Sequence, residues 1–317
     1  KATRFLANEL FSTEGLVIID GDDRNLKTIF APHIKDELIH QNSFKEVSKT
    51  IHQLKDYTVQ VNPREINLFY IEDNLRERIV FEDNIYKVNH TKIQFSESEI
   101  LEALHNSPEK FSPNVILRPL YQEVILPNLA YIGGGGEIAY WLELKSNFNA
   151  QNVTFPILML RNSFVVATEK QIEKMEKLHL TWSDLFLPQD ELTHQKTKEV
   201  SNFKIDFSEQ KEILQKQFAE LLKIAEQTDK SFMGAVKAQE SKQTKGLENL
   251  EKRLLKAEKR VHADKLERIF DIQNQLFNNG GLQERKNNFS EFYSKKFKND
   301  VILLSNPLNT HFKIVKI

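Results

Sequence analysis

Four of the ten glycines in this chain fall together in YIGGGGEIAYWLEL, residues 131–144. An apolar lead-in ending at Ile132 predicts a strand, Gly133, Gly134, Gly135 and Gly136 predict a turn, and Glu137 to Lys145 predicts a helix. Glycine has no Cβ, so such a turn admits a ligand close to the backbone and aims the free N–H groups of the helix start at it. A tight packing turn has the same signature, and the residues alone leave both readings open. The spacing is neither GxGxxG nor GxxxxGK[ST], so neither the dinucleotide fingerprint nor the P-loop is supported. Just upstream, Ser112, Asn114, Arg118, Tyr121, Gln122 and Tyr131 set polar groups among apolar ones, as in a pocket wall. Downstream, PILMLRNSFVV (156–166) predicts a buried strand interrupted by Arg161, Asn162 and Ser163, a triplet that either ends the strand or reaches a ligand.

Other chemistry is scarce. Cysteine is absent, which removes disulfides, thiolate nucleophiles and cysteine-based metal sites. The nine histidines show no HEXXH or HxH spacing, so no metal is assigned, and GxSxG is missing. A net charge of −1 gives no long-range attraction to nucleic acid or to an anionic membrane. No signal peptide or apolar run of about 18 residues occurs, which makes the cytoplasm the expected location.

These groups need a scaffold, and 317 residues with 40% hydrophobic content suffice for more than one domain. Residues 2–12 predict a helix, GLVIID (15–20) a short buried strand, and 25–41 a second helix, with Asp22 or Asp23 better explained as its N-cap than as a ligand. After a helix over 43–54 come YTVQV, INLFYI, ERIVF and IYKV, separated by polar turns at 72–74 and 82–84, the signature of antiparallel hairpins. Ser96 and Glu99 form a capping box for the next helix. No proline occurs between Pro188 and Pro307. Leu214, Phe218, Leu221, Ala225, Thr228, Phe232 and Ala235 follow heptad spacing, as do Leu247, Leu250, Leu254, Ala257 and Val261. An eight-residue step then leads to Ile269, Ile272 and Leu276, a stutter, and Gly280 and Gly281 close the helix. One helix over 231–278 would be about 72 Å long, and the segment 207–227 can cover only part of it, which predicts a homodimer. Glu248, Glu251 and Glu258 interleave with Lys252, Arg253, Lys256, Lys259 and Arg260, a solvated coiled-coil face rather than a nucleic-acid surface. The expected division is 1–55 and 96–187 as α/β segments, 56–95 as a β-rich insert, 188–285 as a helical coil and 286–317 as a packing segment.

TRFLANELF with GLVIIDGDDRNLK, QVNPREINLFY, FSPNVILRPLYQEVILPNLAYIGGGGEIAYWLELK, PILMLRNSF, and LEKRLLKAEKR followed by GLQERKNNF together resemble the cysteine-adding ligase family of bacillithiol biosynthesis, also called bacillithiol synthase. The resemblance covers essentially the whole chain. Gly135 stands where the family's Gly-Gly-Pro-Gly-Glu has proline. The family's HIGH-like motif has no match here, so the chain is expected to be roughly the last three-fifths of such a protein and inactive alone. The resemblance implies an α/β fold, part of a nucleotidyltransferase-like Rossmann core similar to class I aminoacyl-tRNA synthetases, with a connecting insert and a dimerising C-terminal coiled coil. It implies a ligase that joins L-cysteine to glucosaminyl malate through an amide bond, with ATP or ADP as the nucleotide. Gly133 to Glu137 would lie beside the nucleotide, Arg118, Arg161 and Ser163 would act catalytically, and Asn114, Gln122, Tyr131, Tyr140 and Asn162 would bind substrate. The competing readings are a nucleotide-binding regulatory protein without ligase activity and a dimeric scaffold.

Overall fold

The computed structural model describes residues 2–228, 230–277, 280–306 and 308–317. Two compact units form, Lys1–Arg161 with Leu308–Thr310, and Asn162–Pro307 with His311–Ile317. The 96–187 segment expected to be one piece therefore straddles the division.

The first unit opens with α1 (Ala2–Phe11), α2 (Arg24–His40) and α3 (Asn42–Gln53). Asp23 caps α2, accepting from the N–H groups of Asn25 and Leu26. Residues 15–20 do not form the expected buried strand: Leu16, Val17 and Ile19 are exposed and the segment joins no ladder. Its apolar residues suit a strand, but none of the described segments lies alongside to pair with it. YTVQV is likewise unpaired; Gln60 instead donates its N–H to the Glu143 carboxylate at 2.7 Å.

The hairpins form where expected. β1 (Leu68–Glu72), β2 (Leu75–Glu82), β3 (Ile85–Val88) and β4 (Gln94–Phe95) are antiparallel neighbours. Their turns use Asn74, Asp83 and Asn84 at positive φ, which Asn and Asp tolerate best among residues with a side chain. After α4 (Glu97–Asn106), capped by the Ser96–Glu99 box, β5 (Phe111–Pro113) joins the far edge, giving the order β4-β3-β2-β1-β5. This sheet shares one core with the helices: Leu68, Ile79 and Val88 pack in the same cluster as Phe30, Ile34 and Leu38 of α2 and Trp141 and Phe148 further on.

A buried carboxylate ties sheet to helices. Glu37, 2% exposed, accepts from the Ser43 and Asn67 backbone N–H groups, the Ser43 hydroxyl and the Asn67 amide. Burial pushes its carboxyl above the ordinary carboxylate range, against those hydrogen bonds. A carboxyl raised on folding contributes stability that is fully present below its unfolded value and lost as pH rises through its folded one. The stability advantage of wild type over Glu37→Gln should therefore grow as pH falls from neutrality toward the carboxylate range. Denaturant midpoints across that range check this, and an advantage that shrinks on acidification contradicts it. The variant itself should be less stable by about 1–3 kcal/mol, because its amide donor faces other donors.

The first unit continues with α5 (Arg118–Ile125), β6 (Ala130–Gly133), α6 (Gly135–Leu142), α7 (Lys145–Ala150) and β7 (Ile157–Leu160). β6 and β7 are parallel, so this is a βαβ unit.

The second unit begins with β8 (Ser163–Ala167), α8 (Glu169–Lys177) and α9 (Gln189–Val200). The single strand expected over PILMLRNSFVV is thus two, ended between them by the polar triplet. α10 (Ser208–Ala225) packs on α11 (Lys230–Val261) through Phe218, Ala225 and Val236, with Lys211 bridging to Glu251 at 2.7 Å. The expected single rod is interrupted at His262, within the eight-residue step, before α12 (Ala263–Phe277); its end at Asn278 lies outside the described residues. Leu266, Ile269, Ile272 and Leu276 of α12 pack against Val165, Ala167, Met175 and Leu192, so its apolar stripe serves a globular core and not a coil seam. Gly280 adopts the left-handed conformation expected after a helix end, and α13 (Lys295–Ser305) leads to β9 (Phe312–Lys316), which pairs in parallel with β8.

Candidate active site around the glycine turn

Position 118 is set by its neighbours in sequence and by Asn67, the residue just before β1. Asn114 accepts from the Ile116 and Leu117 N–H groups at 2.8 and 3.4 Å, and its amide donates to Asn67 at 2.9 Å. Asn114, expected to bind substrate, is thus engaged in starting α5. From the first turn of that helix Arg118 donates to the Tyr140 hydroxyl at 2.5 Å and to Gln122 Oε1 at 3.2 Å, and it also reaches the Tyr131 side chain. Burial works against its charge, yet the Tyr140 and Tyr131 contacts prevail and hold the guanidinium above its ordinary value. Burial raises the Tyr131 phenol, opposed by Arg118.

Two buried residues missing from the expected set hold this geometry. Glu123, 2% exposed, accepts from Asn128 N–H at 2.8 Å and from the Asn128 and Gln122 amides at 3.0 and 3.2 Å, which fixes the loop between α5 and β6. Glu143 anchors residue 60 at the other end of α6, and burial pushes its carboxyl up. A glutamate inside an apolar run, as in both YQEVIL and YWLEL, is the signal that could have found them.

The glycine turn follows β6. Tyr131 stacks on the fully buried Trp141 with ring centroids 4.0 Å apart. A Cβ at Gly133 would sit 2.7 Å from Tyr131 Cε1, so packing demands glycine there. At Gly135 and Gly136 a Cβ would meet nothing within 4 Å. None of the four glycines has positive φ, and Gly134 is extended at φ −71°, ψ 163°. Neither backbone conformation nor packing accounts for the glycines at 135 and 136. Glu137 accepts from the Gly134 N–H at 3.1 Å, leaving the Gly135, Gly136 and Glu137 N–H groups as first-turn donors with no intrahelical acceptor.

Gly135 opens α6, where proline's missing N–H costs nothing, and extended Gly134 suits a residue before proline. Gly135→Pro should raise stability by about 0.4–1 kcal/mol, read as a higher denaturant midpoint at unchanged slope. A lower midpoint would show that the fold uses this N–H or another conformation.

The expected triplet divides. Arg161 N–H donates to Gly133 O at 2.9 Å, which attaches the end of β7 to the turn. Asn162 and Ser163 belong to the second unit, where the Asn162 amide donates to Ser305 O at 2.8 Å and Ser163 pairs with Phe312. Among the described residues no His, Cys, Asp and Glu cluster could hold a metal ion, and no helix is long and apolar enough to cross a membrane.

Residues 1–162 match the N-terminal Rossmann-like domain of bacillithiol biosynthesis BshC, and residues 164–317 match its C-terminal coiled-coil domain. The chain belongs to the BshC family. Its relatives include proteins named "Putative cysteine ligase BshC" from Flavobacterium johnsoniae, 63% identical over 100% of this chain and 60% of the relative, and from Christiangramia forsetii, 54% identical over 99% and 59%. One from Staphylococcus carnosus is 28% identical over 92% of this chain and 55% of its own length. The chain thus spans about three-fifths of the length of these Flavobacterium and Christiangramia relatives. The boundary between the two BshC family domains, at residues 162–164, lies within three residues of the division of the compact units at 161–162.

Proposed function

We propose that a BshC protein containing this chain joins L-cysteine to glucosaminyl malate, forming the amide that completes bacillithiol, and that the α5–β6–α6 region supplies one wall of its active site. The observation that carries this reading is Arg118, held by Tyr140, Tyr131 and Gln122 beside a glycine turn whose open positions neither packing nor conformation requires. Amide formation needs an activated carboxylate, and ATP or ADP is the nucleotide this reading assigns. Charge developing on a transferred phosphoryl or adenylyl group would be met by Arg118 and by the Gly136 and Glu137 N–H groups. A class I synthetase-like core and a cytoplasmic setting belong to the same reading.

The test is mass spectrometry of a reaction containing full-length protein, cysteine, glucosaminyl malate and ATP. Bacillithiol formed at the expense of both substrates supports the proposal. Nucleotide binding without product would favour a regulatory protein, and binding of neither nucleotide nor substrate a scaffold.

The partner proposed for the coil is a second copy. Leu221 and Ile224 on α10, and Leu250 and Val261 on α11, remain exposed after the two helices pair. Leu250→Lys with Val261→Lys should convert a dimer into a monomer by light scattering, while leaving the melting temperature of the globular part unchanged. An unchanged mass refutes this seam.

A further inference from the structure

The ladder between β1 and β5 runs on into α5. Leu68 and Pro113 are register partners at its end, and one step further the Asn114 N–H donates to Asn67 O at 3.0 Å. The side chains repeat the link, Asn114 Nδ2 donating to Asn67 Oδ1 at 2.9 Å. Asn114 O then accepts from the Arg118 N–H at 2.8 Å, which ties the start of α5 to the same residue. In the other direction the Asn67 amide donates to Ser43 Oγ at 2.6 Å and to Glu37 Oε1 at 3.2 Å, and the Ser43 hydroxyl donates to that Glu37 oxygen at 2.6 Å. Both asparagine amides therefore donate toward the carboxylate, and Glu37, whose hydrogen-bond partners are all donors, dictates which way the Asn67 amide points. Glu37, Ser43 and Asn67 are 2%, 0% and 0% exposed. A buried network of this kind adds little net stability over an apolar core of the same shape, but when its members are satisfied it admits a single arrangement.

We propose that Asn67 and Asn114 are positioning residues for Arg118: anchored by Glu37, they set the place and direction of the first turn of α5, and with it where the guanidinium meets its ligand. Gln122 rides on the same helix as Arg118 and cannot place it. The link through Asn114 joins that helix to the end of the sheet and to α2, on which Glu37 lies. Asn114 has its amide oxygen filled by the Ile116 and Leu117 N–H groups and its amide nitrogen committed to Asn67, so it acts through Arg118 and not by touching substrate. The proposal rests on the reading of Arg118 as a ligand-facing group.

A double-mutant cycle in the full-length protein tests it, read by calorimetric titration with ADP, cysteine and glucosaminyl malate well below the melting temperature, so that a loss of stability alone does not register. Serine at 114 still caps the turn through the Ile116 and Leu117 N–H groups but is too short to span to Asn67, so the helix start survives and the link is cut. Asn114→Ser should weaken by about tenfold the same ligand that Arg118→Ala weakens, because a binding group displaced by a fraction of an ångström to 1 Å loses much of its contact. Added to Arg118→Ala it should cost less than about twofold more, because the group it places is already gone. Wild-type affinity in Asn114→Ser beside a loss in Arg118→Ala overturns the proposal and leaves the site reading standing. An equal loss from Asn114→Ser in both backgrounds also overturns it, as the mark of direct contact with ligand or of general damage. If Arg118→Ala weakens none of the three ligands, the site reading itself fails and the proposal falls with it. Should Asn114→Ser not melt cooperatively, Ser43→Ala, which removes one buried hydroxyl at the far end of the network, carries the same expectation and the same refutation.

Discussion

Arg118→Ala in the full-length protein should lower its affinity for the anionic ligand by roughly 10- to 150-fold, the loss of one charge-assisted hydrogen bond worth about 1.5–3 kcal/mol. Arg118→Lys should restore only part of it, because an ammonium cannot serve Tyr140, Gln122 and a ligand with the geometry of the guanidinium fork. Both variants should retain a cooperative melt, since Glu123 and Trp141, and not Arg118, hold the loop and helix in place. Calorimetry with ADP, cysteine and glucosaminyl malate identifies the ligand Arg118 faces. Unchanged affinity for all three in Arg118→Ala would leave this residue a purely structural link between α5 and α6.

The second large effect separates glycines that pack from glycines that make room. Gly133→Ala forces a Cβ to 2.7 Å from the Tyr131 ring and 3.3 Å from Glu137 Cβ, and should destabilise by about 1–3 kcal/mol. Gly136→Ala enters open space inside the first turn of α6 and should stabilise by roughly 0.5–1 kcal/mol. Yet it should reduce kcat/KM at least about tenfold, because the new methyl stands where a ligand approaches the Gly136 and Glu137 N–H groups. A variant more stable and fully active would mean that nothing approaches this turn.

The parts of the fold legible in the sequence are those whose cause is local. The hairpins follow from alternating apolar residues and from Asn74, Asp83 and Asn84 at turns, and the helix starts follow from Asp23 and Ser96. The glycine turn with Arg118, Gln122, Tyr131 and Tyr140 could be read as one region because those residues lie within a short stretch of chain. What depended on distant partners was not legible. GLVIID has the composition of a buried strand, but burial requires a neighbour the described residues do not supply. Ile269, Ile272 and Leu276 have the spacing of a coil seam, but that spacing serves equally well to face β8 and α8, which are remote in sequence. Glu37 finds Asn67 thirty positions away, so its place at the centre of the first core has no local signature. Asn162 and Ser163, adjacent to Arg161 in sequence, fall beyond the unit boundary because β8 pairs with β9 at the far end of the chain.

The most direct measurement of the central claim is a calorimetric titration of full-length wild type, Arg118→Ala and Gly136→Ala with ADP, cysteine and glucosaminyl malate in turn. The site described above predicts that at least one of these ligands binds wild type and that both substitutions weaken the same ligand by tenfold or more, one by removing a charge and the other by occupying space. Wild-type affinity for every ligand in both variants would contradict it and place the BshC active site away from the glycine turn.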